Sequence, residues 1–211
     1  MNQGRFITFE GGEGAGKSTQ VRRLAARLTA AGRTVVATRE PGGSAGAESI
    51  RDLLVNGAAD RWSPVTETLL MYAARRDHIE RVIVPALARG AWVICDRFAD
   101  STRAYQGAAG GANPALISLL ETHVLDETRP DLTIILDLPV EAGLARAGGR
   151  GGAESRFESK GVVFHDRLRK AFLEIARAEP ARCALIDATA NEDQVGHDIW
   201  AAVQSRLSPD G

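Results

Sequence analysis

The chain has 211 residues, 44% of them hydrophobic, and its 26 basic and 27 acidic side chains leave a formal net charge of −1. The balanced charge argues against a basic nucleic-acid surface, and no uncharged apolar run is long enough to span a bilayer. The polar N-terminus leads at once into a predicted strand, so we expect no signal peptide. Cys95 and Cys183 lie in apolar runs, which is typical of buried reduced thiols and indicates a cytoplasmic protein.

Short apolar runs, several of them β-branched, alternate with helical stretches along the chain, which favours buried strands. This alternation predicts an α/β fold of three layers, a five-stranded parallel sheet with helices on both faces. No internal repeat or low-complexity linker divides residues 1–211, so we expect a single domain. The predicted strands are Phe6–Phe9, Thr34–Thr38, Trp92–Asp96, Leu132–Leu138 and Ala184–Asp187.

The helical stretches carry recognisable start and stop signals. The first ends at Gly32, a residue type common just after helices. Ser63 and Pro64 open a longer helix that the pattern carries to Arg89, with a bend expected near Pro85. Further signals are the Asn113-Pro114 start and the helical spacing of Val195, Ile199, Val203 and Leu207.

The glycine-rich stretch GGEGAGKST joins the first predicted strand to the first helix. From Gly11 to Ser18 it fits G-x-x-x-x-G-K-[ST], the pattern of a phosphate-binding loop. Glycines let backbone N–H groups approach an anion, and the helix N-terminus adds a favourable field. We therefore predict that Lys17 reaches the β- and γ-phosphates of a nucleoside triphosphate and that Ser18 offers its hydroxyl to Mg²⁺.

Three further stretches lie where strands end, which is where ligands bind in parallel sheets. TREPGG, from Thr38 to Gly43, directs an arginine and a glutamate toward the phosphate-binding loop. ICDRFADSTRAYQG contains Asp96, which can hold Mg²⁺ through water, and Arg97, whose planar fork suits phosphate. ARAGGRGGAESRFE is so rich in glycine and arginine that it predicts a mobile lid over about residues 145–160, closing on transferring phosphate.

Taken together, these motifs resemble those of bacterial thymidylate kinases. FEGGEGAGKST, TREPGG, the DRF and STRAYQG run, and LDLPVEAGLAR followed by SRFE occur in the family's order between about Phe6 and Asp187. The resemblance implies the P-loop fold of nucleoside monophosphate kinases and transfer of the γ-phosphoryl group of ATP to dTMP with Mg²⁺. The products would be dTDP, for dTTP synthesis, and ADP. It also implies a homodimer that acts on small nucleotides.

The loop and the start of the first helix form the predicted donor site. Ser18 is the predicted metal ligand, with Asp96 second and acting through water. Residues 188–192, after the last strand, are the candidates for the adenine pocket. The residues predicted to bind the ATP phosphates are Gly11, Gly12, Glu13, Gly14, Ala15, Gly16, Lys17, Ser18 and Thr19.

Lys17, Arg97 and Glu13 are all predicted to act in catalysis. The roles of Arg97 and Glu13 are implied by the resemblance. Arg97 matches an arginine that spans the donor and acceptor phosphates; the alternative is an ion pair with Glu40 or Asp96. Glu13 matches the acidic position of the family's loop, where it would orient the acceptor or the metal; the alternative is a solvated charge.

The family supplies one catalytic arginine either from inside the loop or from the lid. The loop interior here, GEGA, has no arginine. We therefore predict that Arg150 of the lid acts in catalysis, with Arg146 and Arg156 as alternatives, or that the segment is a solvated basic loop.

The resemblance also implies the dTMP site. Arg75 matches an arginine that packs against thymine, and Tyr105 a tyrosine that would crowd a 2′-hydroxyl; the alternative for Tyr105 is a core aromatic. The family's stacking phenylalanine is replaced by Met71, with Tyr72 next, which leaves the register open by one residue. The predicted substrate-binding residues are Arg39, Glu40, Pro41, Met71, Arg75, Arg97, Ser101, Thr102, Tyr105 and Gln106.

Three other functions are considered. The first is another P-loop nucleotide or deoxynucleoside kinase, which TREPGG and STRAYQG argue against. The second is a GTP-dependent switch, which would carry D-x-x-G and N-K-x-D in suitable places, and the third is a non-catalytic ATP-binding module. The four histidines show no metal-ligand grouping and are interpreted as helix-surface or packing residues. The arginines and the glutamate in the run RRDHIER are interpreted as a solvated helix face apart from Arg75.

Overall fold

The computed structural model describes residues 4–58, 60–148, 157 and 160–208. All five predicted strands are present, with ends within two residues of the predicted ones. They are β1 Arg5–Gly11, β2 Val35–Arg39, β3 Trp92–Asp96, β4 Leu132–Asp137 and β5 Cys183–Asp187.

The strands form one parallel sheet in the order β2-β3-β1-β4-β5, which confirms the predicted α/β class. Two predicted strand ends differ from the observed ones. β1 does not end at Phe9, because Glu10 and Gly11 still pair with Ile135 and Leu136 of β4. β2 was predicted over Thr34–Thr38 and spans Val35–Arg39.

Helices cover both faces of this sheet. The N-terminal half contains α1 Lys17–Ala30, α2 Ala45–Val55, α3 Pro64–His78, α4 Val84–Ala88 and the single turn α5 Ala99–Thr102. The C-terminal half contains α6 Pro114–Leu125, α7 Val140–Gly148, α8 Val162–Ala178 and α9 Glu192–Leu207. No helix in these described ranges is long and apolar enough to cross a membrane.

The predicted helix signals operate as expected. The Ser63 hydroxyl accepts a hydrogen bond from the Thr66 N–H at the start of α3. At the end of α1, Gly32 takes a left-handed φ of 79°, as a glycine just after a helix commonly does. A π-helical segment, Ile79–Ile83, joins α3 to α4. It ends two residues before Pro85, near which a bend was predicted, and π-turns of this kind accommodate interruptions of a helix.

Alternate side chains of β1 build the two halves of the core. Ile7 and Phe9 pack with α1 and α9 in a cluster that includes Leu28. Phe6, on the opposite face, packs with the π-helical segment through Ile83. Each such buried side chain contributes about 1.5–3 kcal/mol, so the sheet is a rigid support for the loops at its carboxyl edge.

The parallel register brings those loops together. Phe9 of β1 and Arg39 of β2 both lie opposite Asp96, the last residue of β3. The segments after β1, β2 and β3 therefore leave the sheet side by side, at the edge where ligands of α/β proteins bind.

Candidate active site

The phosphate-binding loop follows β1 and runs directly into α1. Gly14 and Gly16 have left-handed φ values of 69° and 89°, which glycine adopts without strain. A Cβ atom on Gly14 would lie 2.0 Å from the carbonyl oxygen of Gly143 in α7, so no larger residue fits there. Because the first N–H groups of a helix have no partners within it, this loop and the α1 N-terminus form a site for an anion.

The side chain of Lys17 folds back into the loop. It is 7% exposed, and Nζ donates to the carbonyl oxygens of Gly11 at 3.0 Å and Gly12 at 2.7 Å. Burial, reinforced by the charge of Arg97, lowers the pKa of Lys17 to about 8, although nearby carboxylates partly offset this. A phosphate entering the loop would give the ammonium the anionic partner that two neutral carbonyls do not.

Ser18 and Asp96 form a pair of oxygen ligands at the end of the loop. Ser18 Oγ donates to Asp96 Oδ2 at 2.5 Å, and Asp96 Oδ1 is buried with no hydrogen-bond partner among the described residues. A hydroxyl and a carboxylate suit Mg²⁺, which usually keeps waters and phosphate oxygens as its other ligands. Within the described ranges, no group of three or more His, Cys, Asp or Glu residues could hold a metal ion.

Arg97 has a left-handed φ of 69°, a conformation that costs a residue with a side chain about 1–3 kcal/mol and often marks a functional site. Its Nη2 donates to Glu13 Oε1 at 2.9 Å, and its guanidinium lies 4.8 Å from the ring centroid of Tyr105. The Tyr105 hydroxyl donates to the same Glu13 oxygen at 2.6 Å. The alternative of an ion pair with Glu40 or Asp96 was therefore wrong, because Arg97 pairs with Glu13.

Glu13 is half-buried and ionised. Desolvation alone would raise its pKa, but the charges of Arg97 and Lys17 outweigh desolvation and lower the pKa of Glu13 to about 2. Its side chain is 12% exposed, so the alternative of a solvated surface charge was wrong. The carboxylate instead pairs with Arg97 and lies within the field of Lys17.

A cleft with about 560 Å³ of empty volume opens beside this ion pair. Nine of the ten predicted substrate-binding residues line it, so residues from α3 and from the segments after β2 and β3 meet at one place. Those nine are Glu40, Pro41, Met71, Arg75, Arg97, Ser101, Thr102, Tyr105 and Gln106.

Arg39 is the exception. Its side chain is 56% exposed, and Nη2 donates to both carboxylate oxygens of Glu48 at 3.1 Å. Successive side chains of a strand point to opposite faces. Since Thr38 of β2 faces α3, Arg39 faces away from the cleft.

The open register at Met71 and Tyr72 is resolved by the rotation of α3. Met71 lines the cleft together with Arg75, one turn further along the same helix face. Tyr72 is 1% exposed and packs in a core cluster with Ala112 and Ile117. The thioether, which can cover an aromatic face, therefore occupies the position open to a ligand.

Sequence reasoning missed four further residues that line the cleft. Arg51 and Val55 lie one turn apart on α2, and Arg51 Nη1 donates to the Pro41 carbonyl at 2.6 Å. Their helical spacing was visible, but nothing local indicated which face of α2 meets the cleft. Phe98 and Phe157 also line it, and both belong to motifs that had been noted, DRF and SRFE, without a role for the ring.

Glu10 supports the cleft from inside the sheet and was also missed. It is fully buried, and its carboxyl group accepts from the N–H groups of Phe98 at 2.8 Å and Ser101 at 3.2 Å, and from the Ser101 hydroxyl at 2.6 Å. Burial, with the charge of Asp100, raises the pKa of Glu10 to about 8. The available signal was an acidic residue inside an otherwise apolar strand.

A second cleft, with about 1030 Å³ of empty volume, lies on the other side of the loop. Arg146 lines it, and Nη1 donates to the carbonyl oxygen of Ala188 at 3.2 Å. Arg150 and Arg156, the other two predicted lid arginines, lie outside the described residues. The other lining residues include Gly14, Ala15, Gly16 and Thr19 of the loop, and Ala190, Asn191 and Glu192 of the predicted adenine pocket.

Comparison with known proteins gives a consistent result. A family model described as thymidylate kinase matches residues 9–199. A thymidylate kinase of Caulobacter vibrioides is 71% identical over 207 residues, covering 98% of this chain and 99% of its own. One from Bradyrhizobium diazoefficiens is 54% identical over 209 residues, covering 98% and 92%. The crystal structure of thymidylate kinase from Ehrlichia chaffeensis has a TM-score of 0.78 and 35% identity, covering 96% of this chain and 100% of that one.

Proposed function

The chain belongs to the thymidylate kinase family, and from this premise we propose how its residues transfer the γ-phosphoryl group of ATP to dTMP, giving dTDP and ADP. One observation carries the assignment. Glu13 lines the smaller cleft and its neighbour Gly14 lines the larger one. A single loop is thus the common wall of a donor site and an acceptor site, so the two reacting phosphates would meet at it.

The loop holds the donor. Backbone N–H groups between Gly11 and Ser18, and the N-terminus of α1, bind the phosphates of ATP. Lys17 exchanges its two carbonyl partners for phosphate oxygens. The adenine lies in the larger cleft between Arg146 and the segment that begins at Ala188.

The Ser18 hydroxyl and, through water, the Asp96 carboxylate would hold Mg²⁺; Asp96 Oδ1 is buried without a partner among the described residues. The ion would supply neutralisation of the negative charge on the phosphates. Ser18 and Asp96 already contact each other, so they reach the same point beside the loop.

Transfer requires in-line positioning and charge neutralisation more than covalent chemistry. An oxygen of the dTMP phosphate attacks the γ-phosphorus, the bond to the β,γ-bridging oxygen breaks, and ADP leaves with that electron pair. Arg97 lines the acceptor cleft and donates from Nη1 to the Gly11 carbonyl of the loop, so it would bind the acceptor phosphate on one side and the transferring group on the other. Glu13 orients Arg97 through their ion pair.

The acceptor cleft selects the nucleotide. Met71 covers the face of the base, Arg75 and Gln106 meet its polar edge, and Tyr105 is placed to crowd a 2′-hydroxyl. Arg150 remains our proposed source of the lid arginine, with Arg146 and Arg156 as alternatives.

The test is to mix the protein with Mg-ATP and one nucleoside monophosphate at a time and to follow ADP release. We expect fast turnover with dTMP and little with AMP, CMP or GMP. Equal rates with all four would remove the specificity assignment. ADP release without any acceptor would favour the switch alternative, and GTP in place of ATP provides the control for it.

We also propose a homodimer formed through α2, α3 and α6. α3 packs against both other helices, and exposed apolar side chains lie on all three: Leu53, Leu69 and Leu119 are 40%, 47% and 55% exposed. Light scattering after gel filtration should give twice the chain mass, and Leu69→Glu should give the monomer. Leu185→Glu, at an equally exposed leucine on β5, should leave the dimer intact; a monomeric wild type would refute the proposal.

For the compartment we propose the reducing cytoplasm. Cys95 and Cys183 are both buried and unpaired, as thiols of cytoplasmic proteins usually are. Fractionation of cells that express the protein, with blots of the soluble and membrane fractions, would test this.

A further inference from the structure

A buried chain of hydrogen bonds runs from β2 through α3 to the acceptor cleft. Thr38 Oγ1 lies 2.8 Å from His78 Nε2, and His78 Nδ1 lies 2.9 Å from Glu40 Oε1. The other Glu40 oxygen accepts from Arg75 Nε at 2.7 Å. His78, Arg75 and Glu40 are 0%, 3% and 4% exposed. His78, interpreted from the sequence as a helix-surface or packing residue, is fully buried.

A glycine leaves space for these hydrogen bonds. A Cβ on Gly43 would lie 2.4 Å from His78 Nε2 and 2.5 Å from Thr38 Oγ1, and Gly43 has a φ of 91°. The last glycine of TREPGG therefore lets the backbone pass close to the imidazole. The Glu40 carboxylate, which is paired with Arg75, only accepts hydrogen bonds. His78 Nδ1 therefore carries a hydrogen and donates a hydrogen bond to Glu40.

At the other end, the guanidinium of Arg75 is fixed on two sides besides Glu40. Nη2 donates to the Phe98 carbonyl and to Thr102 Oγ1, both at 3.0 Å. Nη1 is buried and has no hydrogen-bond partner within the described part of the chain. Arg75 lines the acceptor cleft, so its guanidinium borders a base bound there.

We infer that His78 is a positioning residue: it is held by Thr38 and orients Arg75 through Glu40. This series of hydrogen bonds sets the preference for thymine over cytosine. The inference deepens the proposed function and rests on it. Thymine presents a carbonyl oxygen at C4, whereas cytosine presents an amino group there. A guanidinium can only donate hydrogen bonds, so it can bind the C4 carbonyl of thymine but not the C4 amino group of cytosine. This discrimination requires that the plane of the guanidinium is held in place.

His78→Leu removes both ring nitrogens at similar volume and leaves Glu40 with one partner fewer. We expect the ratio of kcat/KM for dTMP to that for dCMP to fall about tenfold, because a buried donor left misaligned loses most of its discrimination. The loss should appear mainly as a higher KM for dTMP, because the contact that is weakened stabilises bound dTMP equally in the ground state and the transition state. KM for ATP should stay within about twofold of the wild-type value.

His78→Asn should keep the dTMP to dCMP ratio within about threefold of the wild-type value, because the asparagine amide can still donate a hydrogen bond to Glu40. Thr38→Val removes only the hydroxyl at the far end and should shift the ratio in the same direction by about two- to fivefold. It also replaces His78→Leu as the test if that variant does not fold.

Val203→Ala is the matched control, because Val203 is fully buried in α9 and packs in the cluster on the other side of the sheet. It should lower the melting temperature without changing the dTMP to dCMP ratio. If it changes the ratio as much as His78→Leu does, or if neither His78→Leu nor Thr38→Val changes it, the inference is wrong although dTMP turnover persists. If the wild type does not phosphorylate dTMP, the proposed function itself is wrong.

Discussion

The state of Lys17 makes the activity depend on pH in a definite direction. Its pKa is lowered to about 8 in the ligand-free chain, and only the ammonium form can bind phosphate oxygens as a cation. At pH 9 about a tenth of the free enzyme would retain that charge, so kcat/KM for ATP at saturating dTMP should fall roughly tenfold between pH 7 and pH 9. The phosphates of ATP lose their last proton near pH 6, well below this range.

The pKa of Glu10 is also about 8, so the fall of kcat/KM above pH 7, the descending limb of the pH profile, must be assigned to one of the two residues. Glu10→Gln keeps an acceptor for the N–H groups of Phe98 and Ser101 and removes the titration; the limb should remain. Glu13→Gln removes a negative charge that raises the pKa of Lys17. The limb should then move to lower pH.

The assay is initial-rate ADP release by a coupled reaction, with the coupling enzymes in excess at every pH. Lys17→Ala should lose at least a factor of ~10² in turnover, since a preorganised cation of this kind contributes roughly 3 kcal/mol to transition-state stabilisation, and it should show no limb. A flat profile to pH 9.5, or a limb that disappears in Glu10→Gln, would refute the assignment to Lys17.

Three further changes test other parts of the site. Arg150→Ala should lower kcat while leaving ATP affinity within a few-fold, since a lid arginine acts mostly in the transition state; a change in affinity alone, measured by calorimetry, would make it a ground-state contact. Asp96→Asn should raise the Mg²⁺ concentration needed for half-maximal rate by about tenfold, and an unchanged Mg²⁺ titration would exclude Asp96 from the metal site. Gly14→Ala places a methyl group 2.0 Å from a backbone oxygen at a φ of 69°. It should cost about 3 kcal/mol and lower Tm by roughly 6–12 °C, whereas Gly12→Ala, with nothing within 4 Å, should leave Tm unchanged.

The sequence determined the fold well because its signals are local. Apolar β-branched runs, a proline after Ser63 and a glycine at position 32 each act within a few residues, and the structure follows them. The phosphate-binding loop was predictable for the same reason: its glycines, Lys17 and Ser18 are consecutive, and their geometry is set by the strand before them and the helix after them.

The contacts that were mispredicted or missed are set by register and helix rotation. In β2, Thr38 faces α3 and Arg39 faces solvent, because the side-chain period of a strand is two. The strand pattern alone did not indicate which of the two faces the cleft side. Which partner Arg97 takes depends on the loop after β1 reaching past the end of β3. The pairing of Glu40 with His78 joins residues 38 positions apart, and no local pattern encodes it.

Glu13 balances two cationic side chains of the phosphate-binding region, Lys17 and Arg97. Lys17 is buried and Arg97 half-buried, and the charge of Arg97 contributes to lowering the pKa of Lys17. The negative charge of Glu13 offsets that repulsion, since it raises the pKa of Lys17 while pairing directly with Arg97. Without this carboxylate Arg97 would lose its ion-pair partner and the pKa of Lys17 would be lower still. An acidic residue inside an anion-binding loop is therefore not a contradiction, because it favours the charged form of the lysine that binds the phosphates.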